Sequence, residues 1–112
     1  PCMQIRGLNK FTEKCPSFIV VCEEDAMLIG RSEPDQKYAS IDIGIAVAHL
    51  CYSATQQGLS TCIMGAFDPA LLKVLGITEP KRVRLVIAVG YAATEQLRPK
   101  RRKELEEIMT YL

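Results

Sequence analysis

Lys100 and Arg102 stand two residues apart in "RPKRRKELEEI", inside a segment that concentrates the basic chemistry of the chain. Residues 98–112 carry five cations, Arg98, Lys100, Arg101, Arg102 and Lys103, followed by Glu104, Glu106 and Glu107, for a local net charge of +2. Pro99 keeps Arg98 out of the α region, so the chain enters this run extended. Residues two apart on an extended chain point the same way, which places Lys100 and Arg102 on one side and Arg101 on the other. A helix start follows, and its free N–H groups and dipole attract anions. A phosphate held there meets one compact ammonium, one planar guanidinium and backbone donors. The competing reading is a plain solvated face. Cations ahead of a helix oppose its dipole by about a few tenths of a kcal/mol each, a small cost that a bound anion relieves.

A second feature is "IMGAF", where Met64 and Gly65 end an apolar run. Glycine at a strand end lets the backbone approach a flat ligand closely, and Met64 offers a soft apolar edge. The same glycine also suits a simple turn. His49 is the only histidine, and no Ser or Cys pairs with it as an evident nucleophile, so it reads as structural. Asp42, His49, Ser53 and Gln56 form one narrow polar stripe, a solvated or hydrogen-bonded seam in preference to a catalytic row. No residues are assigned a catalytic role, and none a metal.

These groups need elements to hold them. "SFIVVC", residues 17–22, is a continuous apolar run rich in β-branched residues and predicts a buried central strand. Residues 23–38 are polar and form a long connection. Residues 41–57 predict about five turns of helix, with Ser40 as N-cap and Gly58 as the stop. Its apolar residues surround nearly the whole circumference, so it must be covered on most sides. A short chain has little to cover it with, and a partner subunit is the natural supplier. "LSTCIM" reads as a strand. Asp68-Pro69 then opens a short helix that Gly76 stops. "RVRLVIAVG" (Arg82–Gly90) is the clearest strand, and a terminal amphipathic helix presents Leu105, Ile108, Met109 and Leu112. This order predicts an α+β or α/β layer.

The whole chain has 112 residues, 48% of them hydrophobic, and a formal net charge of +1. That is enough for the core of one domain spanning residues 1–112. Near-neutral charge, with no aromatic residue beside the basic run, argues against nucleic acid. Five cysteines without a CxxC spacing read as reduced residues of a cytoplasmic protein. No stretch has membrane-spanning length, so no membrane partner is expected.

"DIGIAVAHLCYSATQQGLSTCIMGAFDPALLKVLGI", "VRLVIAVGY" and "RPKRRKELEEI", in this order, resemble the C-terminal half of the nitroreductase superfamily. The shared marks are an Asp-x-Gly-x-Ala helix ending in Gly-Leu, a glycine turn followed by Phe-Asp, a strand ending Val-Gly-Tyr, and Lys-x-Arg near the end. "GLNKFTEKCPSFIVVCEED" also resembles the family's lead into its strand, where Ala-Pro usually replaces Cys15-Pro16. The resemblance implies an α+β, nitroreductase-like fold with a mixed, mainly antiparallel sheet, flanking helices and a homodimer formed through helix 41–57. It implies FMN at the dimer interface, touched by the Met64 and Gly65 backbone, with Lys100 and Arg102 on its phosphate. A backbone N–H in this turn suits flavin N5 or O4. It implies NAD(P)H as co-substrate and a nitroaromatic, quinone or similar small-molecule acceptor. No protein acid or base is essential to that chemistry. The family's Arg-rich N-terminal portion has no counterpart here. The alternative is therefore a non-catalytic dimerising remnant with weak or no flavin binding.

Overall fold

The computed structural model describes residues 2–4, 7–27, 29–32, 36–97 and 99–111. The described strands are β1 (Ser17–Glu23), β2 (Ser60–Met64) and β3 (Arg82–Gly90), and the helices are α1 (Ala39–Gln56), α2 (Ala70–Leu75) and α3 (Leu105–Ile108), with a 3-10 turn at Lys10–Lys14. The sheet is antiparallel in the order β1-β3-β2. The apolar run of β1 was expected at the centre, but β3 takes that place and β1 lies at an edge. The reason lies in β3 itself: Val86 and Ile87 are 0% exposed, and alternation sends their side chains to opposite faces. Only a strand paired on both edges and covered on both faces buries consecutive residues so fully.

On one face Met64, Leu71, Val86 and Ala88 form a buried cluster, with Cys2, Met3, Cys15, Phe18, Cys62 and Phe67 packed against it. Leu71 comes from α2, whose start is held by Asp68: its Oδ1 accepts from the Ala70 N–H at 2.8 Å, as the Asp-Pro pattern requires. Gly76 adopts φ +65° at the end of this helix, and the Ile77 N–H reaches back to the Leu72 carbonyl. The end of α1 is built the same way. Gly58 has φ +75°, and the Gly58 and Leu59 N–H groups donate to the Thr55 and Ala54 carbonyls. This αL stop is cheap for glycine and strained for other residues.

The start of α1 differs from the expected Ser40 cap. Tyr38 precedes the first helical residue, and Ser40 lies within the first turn. Its hydroxyl accepts from Arg84 Nη2 at 3.2 Å and is diverted from the helix backbone. α1 packs against β2 and buries Val47 and Ala54, with Ile43, Leu50 and Cys51 half-buried beside them. Ile41, Ile45 and Tyr52 remain 58%, 54% and 72% exposed. With Ala48 they fall at i, i+4, i+7 and i+11, a second apolar seam. The polar stripe of Asp42, His49, Ser53 and Gln56 is exposed, with the Gln57 amide on the Ser53 carbonyl.

The terminal amphipathic helix shrinks to the single turn of α3, and Leu105, Ile108 and Met109 are exposed. One turn without a surface to dock on gains too little to propagate. Arg98 and Leu112 lie outside the described residues, so the extended lead-in at Arg98 and the Leu112 face are left there. The chain exposes 9453 Å², against about 6,200 Å² for a compact monomer of this mass. Its radius of gyration is 17.2 Å, against about 13 Å for a compact chain of this length. Much apolar surface therefore lacks cover within the chain.

Gly90 closes the sheet against Cys15-Pro16: a Cβ there would lie 3.0 Å from Pro16 Cδ and 3.2 Å from Cγ. Gly90→Ala therefore overpacks this corner and lowers unfolding free energy by about 1–3 kcal/mol, read as a lower denaturant midpoint at unchanged m-value.

Candidate functional site

The two ends of the sheet carry different groups. At the end of β2, Met64 pairs with Val86 and the chain leaves the ladder at Gly65. The Met64 side chain is only 3% exposed and packs beside Leu71 and Val86. The soft apolar edge expected of it is therefore spent in the core, and any ligand contact at this position falls to its backbone. Gly65 is exposed, and the nearest atom to a Cβ placed on it is Leu85 Cδ2 at 3.9 Å. Nothing in the fold forces glycine there. Its bareness leaves the backbone open from outside.

Around the same end of the sheet lies an ionic cluster that pattern reading did not anticipate. The register slips between Val21 and Cys22, leaving Arg84 as the extra residue of β3. A bulge re-aims its side chain. Arg84 Nε sits 3.3 Å from Glu23 Oε2, while Arg82 Nη2 lies 2.9 Å from Asp25 Oδ1 and 3.7 Å from Glu23 Oε1. The Glu23 side chain is 7% exposed, and its two guanidinium neighbours balance that burial. The Gln36 amide reaches the Glu24 carbonyl at 3.0 Å and Asp25 Oδ1 at 3.3 Å. Lys81 bonds Glu24 at 2.6 Å. That hydrogen bond, and then the carboxylate charge, raise the Lys81 ammonium above its ordinary value, on a group open to solvent. The signal was available in "CEED" and "KRVR", whose opposite charges meet only once the strands pair antiparallel.

Asn9 is a further residue that the pattern did not single out. It adopts φ 58° ahead of the 3-10 turn, and its Nδ2 donates to the Met3 carbonyl at 3.0 Å and the Ala66 carbonyl at 2.9 Å. The Asp68 N–H donates to the Cys2 carbonyl at 2.8 Å. Cys2 and Asn9 thus brace the chain just beyond Gly65, with Asn9 also tied to Met3.

Lys100 and Arg102 are exposed on irregular backbone and make no hydrogen bond or ion pair among the described residues. Arg101, Arg102, Lys103, Glu104 and Glu107 line an open groove there, and Lys100 is not part of its lining. At the opposite end of the sheet, a mainly apolar cavity of about 340 Å³ is bordered by Phe11, Cys15, Pro16, Cys62, Gly90 and Tyr91. All five cysteines are half-buried and free. Among the described residues no metal-binding group of His, Cys, Asp and Glu is assembled, and no helix is long and apolar enough to cross a membrane.

The model of the nitroreductase family matches residues 4–91. The crystal structure of a nitroreductase family protein from Streptococcus pneumoniae TIGR4 is 28% identical, with a TM-score of 0.60, over 71% of this chain and 42% of that one. A crystal structure described as an oxidoreductase containing FMN superimposes with a TM-score of 0.78 at 18% identity, over 96% of this chain and 60% of that one. An uncharacterised 15.4 kDa protein encoded in the ask 5′ region of Mycolicibacterium smegmatis is 28% identical over 110 residues, 89% of this chain and 72% of that protein. The chain thus spans less than half the length of the S. pneumoniae structure. With the family model matching most of its length, this chain belongs to the nitroreductase family.

Proposed function

We propose that this chain contributes to an FMN-dependent oxidoreductase that works as a homodimer and uses NAD(P)H to reduce a nitroaromatic, quinone or similar acceptor. The reading rests on an open Gly65 backbone and, elsewhere in the chain, two exposed cations, Lys100 and Arg102, that have no partner of their own among the described residues. Membership of the family and the fold likeness to an oxidoreductase containing FMN support the choice of cofactor. When bound, FMN supplies the hydride chemistry between NAD(P)H and the acceptor.

The residues of this chain fit that group in kind. Lys100 and Arg102 supply one point charge and one planar fork, the donor set that suits a phosphate. Gly65 offers backbone donors to a flat ring without adding a reactive side chain beside it. Met64 takes part through its backbone. The exposed seam of Ile41, Ile45 and Tyr52 on α1 matches a second copy, which would exclude water from this region. No side chain of the described region is asked to move a proton.

The second reading, a dimerising family member without redox activity, is favoured by the same α1 seam, which calls for a partner whether or not a cofactor binds. Colour separates the two. Purified protein with a visible flavin band that NAD(P)H bleaches supports the enzyme; protein that stays colourless after incubation with FMN supports the second reading.

Replacing both Lys100 and Arg102 by Ala weakens FMN binding more than tenfold, since charge-assisted contacts contribute about 1.5–3 kcal/mol each. Fluorescence titration checks this, and unchanged affinity removes the phosphate assignment. Tyr52→Glu places a charge in the α1 seam and converts the dimer to monomer in sedimentation experiments. A variant as dimeric as the parent shows that α1 does not form the interface.

A further inference from the structure

Asn9 holds a left-handed backbone, φ 58°, that costs most residues energy and asparagine comparatively little. Its side-chain amide donates to two carbonyls from different parts of the chain, Met3 at 3.0 Å and Ala66 at 2.9 Å. Both partners can only accept, so the nitrogen must face them, and both N–H protons of the amide are used. Its own carbonyl accepts from the Thr12 hydroxyl at 2.7 Å and the Thr12 N–H at 3.0 Å, and Thr12 is buried. The residue is thus fixed from its own side before it reaches across.

Ala66 immediately follows Gly65. One end of this short stretch is tied by the last ladder pair of β2, Met64 with Val86. The other end is tied at the Ala66 carbonyl by Asn9 and at the Asp68 N–H by the Cys2 carbonyl. Gly65 has no side chain to resist rotation, so these two ties set where its backbone N–H and carbonyl point. Binding groups held in place before a ligand arrives lose less entropy on binding.

We infer that Asn9 is a positioning residue for the Gly65 turn, bracing the backbone that meets the cofactor's ring without touching the ring itself. This rests on the proposed flavin site, and its test separates the two. Asn9→Asp keeps the size and the tolerance of αL but turns both donors into acceptors facing carbonyls. Asn9→Gly keeps the backbone conformation and removes the side chain. Hydrogen exchange measured on the chain without added FMN reads the brace directly. The expected result is exchange at the Asp68 amide about tenfold faster in both variants, with the β3 amides as protected as before. With FMN added, binding weakens about tenfold, equivalent to about 1.4 kcal/mol, and the visible band of the bound flavin shifts. Far-UV circular dichroism identifies a variant that has unfolded, in which case the other decides.

Unchanged Asp68 exchange in both variants overturns the inference. So does faster exchange accompanied by unaltered flavin affinity and spectrum. If the parent chain binds no FMN, the proposed function falls, and the exchange result alone decides whether Asn9 braces the turn.

Discussion

β3 is the constraint on which the rest of the described structure depends. Its apolar stretch through Val86, Ile87 and Ala88 is buried on both faces, and it is the one described strand paired on both sides. Removing that strand from water drives the fold, because burial of fully apolar side chains contributes about 1.5–3 kcal/mol each. β1 and β2 align on it antiparallel, so the end of β2, the end of β1 and the start of β3 meet at one end of the sheet. Gly65 and the Glu23–Arg84 pair gather there as a consequence.

That common end is cross-linked to the rest of the chain. The bulge that aims Arg84 at Glu23 and Ser40 ties the first turn of α1 to the sheet. Asn9 ties the chain beyond Gly65, at the Ala66 carbonyl, to Met3. Under the proposed flavin site, these ties would hold a bare glycine backbone in place with no reactive side chain beside the ring.

The surface left over is as informative as the core. α1 buries one apolar seam against the sheet and leaves Ile41, Ile45 and Tyr52 exposed on another. The described residues after Tyr91 are exposed, and the apolar residues of α3 find no cover among the described residues. Exposed apolar patches of this kind are the basis on which a second copy is proposed above.

Much of this could be read from residue order alone. The extent of β3, the αL stops at Gly58 and Gly76, the Asp68-Pro69 helix start and the two-sided hydrophobicity of α1 follow from local chemistry: backbone conformation, capping and periodicity act within a few residues. The family motifs were legible for the same reason. Only the tertiary structure put β1 at an edge, drew Ser40 away from its capping role, folded Met64 into the core, assembled Glu23 with Arg82 and Arg84, and stretched Asn9 across to Ala66. Each of these joins residues far apart in the chain, and which distant groups meet is decided by strand pairing and burial.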